Sequence, residues 1–290
     1  MDSAVAASFF VSDMHGRAER YEKLFDAIAR ERPSGVFLGG DLLPHPMARR
    51  TGGGGSGSFL DEELVPRLET LRGTLGEAYP QIFAIFGNDD PRAEEVSALD
   101  AERRGLWRYA HGRKLAWRGF DVYGYACTPP SPFPLKDWER YDVSRYVDPG
   151  CIPPEEGIRT APVPTGEAAR TTIVADLAEL FGGDDLDRAI FLCHAPPYQT
   201  LLDRAALDGR FVDHAPLDVH IGSIAVRRLI EERGPLVTLH GHVHESARIT
   251  GSWCDRIGRT VCLSAAHDGP ELALVRFDPA NPAGATRELI

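Results

Sequence analysis

Seven side chains with lone pairs to donate recur in this sequence in one kind of setting. Asp13 and His15 stand in "SDMHG", Asp41 in "GGD", Asn88 in "GNDD", His194 in "CHAPP", and His242 and His244 in "HGHVH". Carboxylate and amide oxygens suit hard divalent cations, and imidazole suits zinc, iron, nickel and manganese. Of the five cysteines only Cys193 touches these stretches. It precedes His194 within an apolar run and is expected to point into the core. An oxygen and nitrogen set without thiolate does not read as structural zinc. Seven ligands are too many for one ion with an open position, but they suit two ions that share a carboxylate. Paired ions about 3.5–4 Å apart serve phosphoester hydrolysis, because both polarise the phosphoryl oxygens and a shared water becomes hydroxide.

Each fragment alone carries little. A D-x-H triplet is common, a histidine after a strand is more often a hydrogen-bonded structural residue, and G-G-D is mostly a turn. What binds the fragments together is their position. Each follows an apolar run: Ser8-Phe9-Phe10-Val11, Gly35-Val36-Phe37-Leu38, Gln81 to Phe86, Ala189-Ile190-Phe191-Leu192 and Leu236-Val237-Thr238-Leu239. Continuous rather than alternating hydrophobicity predicts strands covered on both faces. In open α/β sheets ligands bind at the carboxyl ends of the strands, so five strands would deliver these side chains to one edge.

Helical patterns lie between the runs. Tyr21, Leu24, Phe25 and Ile28 follow the i, i+3, i+4, i+7 rule. Leu64, Leu68, Leu71 and Leu75 nearly do, with Pro66 in the first turn. Ile173, Val174, Leu177, Leu180 and Phe181 mark a helix closed by Gly182-Gly183, and another runs from Ser223 to about Arg233. Alternating strands and helices define an α/β protein. Phe120 to Tyr125 reads as a further strand. Thr260 to Ser264 and Glu271 to Phe277 read as two strands in quick succession that close the fold with antiparallel pairs. The first strand is expected to begin near Val5. "TGGGGSGS" at Thr51 to Ser58 reads as a surface loop, since no Gly-Lys-Ser/Thr follows. The proline-rich stretch Thr128 to Gly166 reads as an ordered lobe beside the site, with Trp138, Tyr141 and Tyr146 as candidate stacking surfaces or as packing within the lobe.

The ordered set D-x-H, G-D, G-N-x-D, a lone H and G-H-x-H, from Asp13 to His244, resembles the calcineurin-like metallophosphoesterase superfamily. The resemblance implies a four-layer α/β/β/α sandwich of two mixed sheets flanked by helices. It implies two divalent metal ions, Mn2+ first, with Fe, Zn, Ni or Mg as alternatives. By position, Asp13, His15 and His244 would bind one ion, Asn88, His194 and His242 the other, and Asp41 would bridge. Asn88, Asp89 and His242 would stand next to the reacting group. Many members carry histidine where this chain has Asp89, which points toward phosphodiesters with good leaving groups and gives Asp89 a hydrogen-bonding role rather than that of general acid. His240 lies outside the motif and is expected to be a core or supporting histidine. His45, Arg17, Arg92 and His220 are further polar candidates, the last beside a helix start whose backbone N–H groups could meet an anion.

The whole chain sets the remaining bounds. Its 290 residues suffice for one domain over 1–290 with the lobe at about 128–166. The net charge of −11 argues against a large nucleic-acid surface, while leaving room for a small anion at a metal site. No apolar run approaches a membrane span, and no basic leader precedes the first strand. Five cysteines without C-x-x-C spacing fit a reducing, cytoplasmic setting. The expected function is a phosphodiesterase acting on a nucleotide or other small phosphodiester. The alternatives are a phosphomonoesterase or protein phosphatase, and a non-catalytic binding scaffold of the same fold.

Overall fold

The computed structural model describes residues 7–45 and 58–290, so Val5 and most of the glycine-rich stretch fall outside the described residues. The first sheet is built from β1 (Ser8–Val11), β2 (Gly35–Gly39), β3 (Gln81–Ile85), β4 (Arg108–Tyr109), β13 (Ala273–Asp278) and β14 (Asn281–Leu289). Its strand order is β14-β13-β1-β2-β3-β4. The second holds β5 (Arg113–Trp117), β6 (Phe120–Tyr125), β7 (Ala189–Cys193), β10 (Val237–His240), β11 (Cys254–Ile257) and β12 (Thr260–Ser264), in the order β11-β12-β10-β7-β6-β5. A small hairpin of β8 (Phe211–Val212) and β9 (Ala215–Pro216) stands apart. Both sheets are mixed. β1, β2 and β3 run parallel, as do β6, β7, β10 and β12, while β13, β14, β5 and β11 add antiparallel pairs.

Alternate residues of one strand belong to different cores, which is why the strand sequences read as continuously apolar. Phe10, Phe37, Phe83, Ile190, Leu192, Val237 and Leu239 fill the space between the sheets. Phe9, Val11, Val36, Leu38, Ile82, Phe191 and Cys193 face the helices. The inter-sheet core is aromatic at its centre. Phe37 stacks on Phe83 at 5.2 Å, and Trp117 meets both edge-on. Burying each such ring is worth about 1.5–3 kcal/mol. Cys193 is buried among the helix-side residues, as its place in the run implied.

The helices are α1 (Ala18–Glu31), α2 (Val65–Leu75), α3 (Glu95–Arg103), α4 (Ile173–Phe181), α5 (Ile224–Arg233) and the short α6 (Ser246–Thr250). A single π turn, Leu60–Leu64, leads into α2, whose Pro66 sits in the first turn. The Thr172 and Ser223 hydroxyls cap α4 and α5 by accepting from Ala175 N and Val226 N. Tyr21, Leu24 and Ile28 form the buried face of α1. Among the described residues, no helix is long and apolar enough to cross a membrane.

The expected antiparallel closure at the C-terminal strands is present, although the two strands lie in different sheets and do not pair with each other. β12 lies parallel to β10 in the second sheet, whereas β13 lies antiparallel to β1 in the first. Residues 265–272 therefore cross between sheets. Each of the two strands finds an antiparallel partner at a sheet edge, β11 and β14, that the sequence pattern had not shown.

Candidate metal centre

β1, β2, β3, β7 and β10 end on the same side, and the loops that follow them converge where the two sheets meet. Backbone and side-chain contacts sew the sheets together there. His194 Nδ1 meets the Gly39 carbonyl at 2.7 Å, Gly241 N donates to His194 O at 3.0 Å, and His242 N donates to Asp13 Oδ1 at 3.1 Å. The loops are tight. Asp13, His15, Asp41 and His242 all have positive φ, between 49° and 75°, a conformation that costs of order 1–3 kcal/mol for a residue with a side chain. Two motif glycines allow the close approach. A Cβ on Gly87 would lie 2.6 Å from His194 Nε2 and overlap Asp41 Oδ1, and one on Gly241 would overlap Ser12 Oγ.

Two clusters of donor atoms result, and Asp41 belongs to both. In the first, ligand atoms of Asp13, His15, Asp41 and His244 all lie within 4.8 Å of one another. His244 Nε2 is 3.2 Å from Asp13 Oδ1 and 3.1 Å from His15 Nε2. In the second, His194 Nε2 is 3.2 Å from Asn88 Oδ1 and 3.3 Å from Asp41 Oδ2. The His242 ring stands beside it, centroids 5.3 Å apart.

The chemistry of these contacts is unusual. With its Nδ1 proton given to Gly39 O, neutral His194 presents a lone pair at Nε2 to two oxygen lone pairs. His244 Nε2 likewise faces an oxygen and another imidazole nitrogen. Such groups repel unless something positive lies among them. Asp13 Oδ2 adds a buried oxygen with no hydrogen-bond partner. The donor set thus fits divalent cations, and protonation equilibria report the same demand. Burial opposes charge on His194, but Asp41 and Asp13 outweigh it and push the imidazole up to about 10. His244 goes up to about 9, because Asp13 and Asp41 outweigh burial. Asp13 is resisted by burial yet held down at about 2 by His244, and Asp41 is held below the usual carboxylate range by His194. His15 is lowered by burial, and His242 falls to about 3 by burial and the neighbouring His194.

Asp89 lies between the clusters. Its Oδ1 accepts from Asn88 Nδ2 at 3.1 Å, its Oδ2 is 3.7 Å from His15 Nδ1, and its backbone N donates to Asp41 Oδ1 at 2.8 Å. Burial and then Asp41 lift its carboxyl to about 7, and bound cationic charge would act in the opposite direction. Asp90 has a different task. Fully buried, it accepts from the backbone N–H of Leu42, Leu43 and Gly87, which locks the loop carrying Asp41 to the loop carrying Asn88.

Of the other candidates, His240, Arg92 and His220 have their partners outside this constellation. His240 is a core histidine, with Nδ1 against the Cys193 and Ala195 carbonyls and Nε2 against Thr238 Oγ1. Arg17 is exposed, and His45 is half-buried at the last described residue before the gap. Arg92 lies over the Trp138 ring. His220 Nδ1 is bonded to the buried Asp203 at 2.8 Å. The N–H groups beside it do meet an anion, but it is Asp142 of the lobe, which accepts from Ile224 N, Ala225 N and Ser223 Oγ. The two readings of the aromatics in 128–166 divide among the three residues. Trp138 and Tyr141 are 1% and 3% exposed and pack within the lobe and against Phe86 and His111, which leaves only Tyr146, 68% exposed, as a stacking surface. Sequence reasoning passed over Arg20, buried in α1 and bonded to the Asp13 carbonyl. A charged residue four and eight positions before Leu24 and Ile28, on the same helix face, was the available signal.

A family profile described as calcineurin-like phosphoesterase matches residues 9–246, and the chain belongs to this family, whose members depend on a binuclear metal centre. In fold it is similar to the TT1561 protein of Thermus thermophilus, with a TM-score of 0.58 and 18% identity over 99% of each chain. It is also similar to a dimetal phosphatase from Danio rerio, with a TM-score of 0.51 and 13% identity over 94% of this chain and 92% of that one. A curated relative, the uncharacterized protein MJ1162 of Methanocaldococcus jannaschii, is 33% identical over 82 residues, which span 28% of this chain and 32% of that protein.

Proposed function

We propose that this chain is a phosphoester hydrolase that works with two metal ions. Asp13, His15 and His244 would hold one, Asn88, His194 and His242 the other, and Asp41 would touch both. One observation carries the reading: two sets of lone pairs face one another at 3.1–3.3 Å and share the Asp41 carboxylate. When bound, divalent cations would supply Lewis-acid polarisation of a phosphoryl oxygen and acidify water. The chain's own residues do the rest. His194 Nδ1 on Gly39 O fixes the tautomer that leaves Nε2 free. Asp90 fixes the spacing of the Asp41 and Asn88 loops. Asp89 orients Asn88 by accepting from its Nδ2 at Oδ1, and its Oδ2 lies 3.7 Å from His15 Nδ1 of the other set.

The preferred substrate in this reading is a small phosphodiester, such as a nucleotide diester, because no imidazole stands at position 89 to protonate a poor leaving group. Mn2+ is the preferred metal, with Fe, Zn, Ni and Mg as alternatives, and the reaction would take place in the cytoplasm. The test is elemental analysis combined with turnover of an aryl phosphodiester and an aryl phosphomonoester under each metal. Two ions per chain and faster diester cleavage are expected. At most one ion, or turnover that survives in Asp41→Ala, refutes the binuclear reading. Monoester preference refutes the diesterase assignment alone.

A further inference from the structure

Arg20 is 3% exposed, on the apolar face of α1, and among the described residues its guanidinium forms no ion pair with a carboxylate. Its Nη1 donates to the carbonyl of Asp13, its Nη2 donates to the carbonyl of Gly269 at 2.6 Å, and its Nε is buried with no partner. A buried guanidinium that the Asp13 and Glu271 carboxylates attract only from beyond ion-pair distance is costly, and an apolar side chain would fill this helix face at lower cost. The arrangement therefore calls for a reason beyond packing.

The reason lies in what the guanidinium grips. Asp13 stands in the left-handed region at φ 58°, and its other backbone tie is Asp13 N to Gly40 O at 2.9 Å. Arg20 supplies the second tie, on the carbonyl side of the same strained peptide. The planar fork of arginine reaches two carbonyls on separate segments, which the point charge of lysine does less well. With the peptide held at both ends, Asp13 Oδ1 receives His242 N and faces His244, while Oδ2 stays buried and without a partner.

We propose that Arg20 is a positioning residue for the metal centre, which clamps the Asp13 peptide so that the carboxylate stays turned into the ligand cluster. This rests on the reading of Asp13 as a metal ligand. The structure also supplies a control. Arg287 in β14 is a second guanidinium with a buried, unpartnered Nε, and it holds the same 265–272 crossing by donating to Ala266 O at 2.6 Å, without touching Asp13.

The experiment is calorimetric titration of metal-free protein with Mn2+ alone, paired with thermal unfolding of the same metal-free samples. Arg20→Met is expected to weaken Mn2+ binding by roughly 10–100-fold, the range typical of residues that support a ligand, and Arg20→Lys to recover part of that loss. Arg287→Met is expected to lower the unfolding temperature while changing Mn2+ affinity by no more than about twofold, as for an uncoupled site. Wild-type affinity in Arg20→Met overturns the proposal. So does an equal loss in Arg287→Met, which would show that anchoring the crossing is what matters. Should Arg20→Met fail to fold, the same comparison is read from Arg20→Lys, where undiminished affinity overturns it. Failure of the underlying metal reading looks different: the wild-type protein itself would take up no Mn2+.

Discussion

Two of the buried polar clusters among the described residues are built on opposite terms. In the proline-rich lobe, Lys136 and Glu139 are both fully buried and paired. Lys136 Nζ also donates to Ser131 O, while Glu139 accepts from Ser131 N and Ser131 Oγ. Each of these three side chains has partners within the cluster, although Thr128 Oγ1 and Trp138 Nε1 nearby in the chain are buried without one. At the strand ends, by contrast, acceptors outnumber donors, Asp13 Oδ2 has no partner, and several residues sit in strained backbone conformations. Both regions are charged clusters in the sequence. The difference teaches that lone pairs facing one another around a shared carboxylate, rather than charge or burial, set the candidate metal cluster apart from a structural polar network.

The contrast is broken most severely at Asp41. Asp41→Ala is expected to reduce phosphodiester turnover by at least roughly 10²–10³-fold, on the scale of losing a main electrostatic element of a site. Steady-state kinetics with metal analysis checks this, and near-normal turnover would mean that the open cluster is not the reaction centre.

The lobe's network should answer the other way. Lys136→Met leaves the Glu139 carboxylate buried and unpaired, at an expected cost of roughly 3–5 kcal/mol in denaturant unfolding. Replacing both partners with apolar residues should return much of that loss. Mn2+ affinity should not follow either change. If it does, the lobe and the metal centre are coupled and the division between them is false.

Asp89 lies at the boundary of the open cluster, so a smaller effect is expected there. Asp89→Asn should cost roughly 10–100-fold in turnover. Asp89→His should flatten the dependence of rate on leaving-group acidity, because an imidazole can donate a proton near neutral pH. A shallow dependence in the native enzyme that collapses in Asp89→Asn would make Asp89 a working general acid instead.

The mildest test is pH. A histidine whose pKa is raised by folding stabilises the fold fully below its unfolded value near 6.5 and loses that contribution as pH climbs through the folded one. With His194 up to about 10 and His244 up to about 9, metal-free protein should lose stability between pH 7 and 10. Metal must displace those protons, so Mn2+ affinity should rise over the same range by up to about tenfold per pH unit for each proton released. Thermal unfolding with and without Mn2+ across that range decides it. A metal-free unfolding temperature flat to pH 10 would show that protons are not held in the cluster.

Much of the candidate site's place in the fold was legible in the sequence because central parallel strands announce themselves. "SFFV", "GVFLG" and "AIFLC" are apolar on both faces, and the residues just past them must share an edge. The edges of the sheets were not legible. β5 ("RKLAW"), β11 ("CDRI") and β14 ("NPAGATREL") turn one face to solvent and carry charges or glycine, so no continuous run marks them. α3 ("EVSALDAER") buries only alanines, too little apolar surface to stand out. Trp138 could not be told from a stacking residue, because aromatic side chains read alike whether they face a ligand or Phe86. The place of Arg20 on the apolar face of α1 was legible, but its partners were not, because they are carbonyls, which every residue possesses and no sequence displays.

The grip of Asp142 on the start of α5 bears on how this protein can be rebuilt. Ile224 N, Ala225 N and Ser223 Oγ all give their hydrogens to that one carboxylate. A shortened version without residues 128–166 would leave those three donors seeking water at the start of the helix that feeds β10 and its histidines. It would also empty the space Trp138 fills against Phe86, just before Asn88. The lobe is therefore a poor cassette: it cannot be trimmed or exchanged between relatives unless the replacement brings its own carboxylate and its own ring.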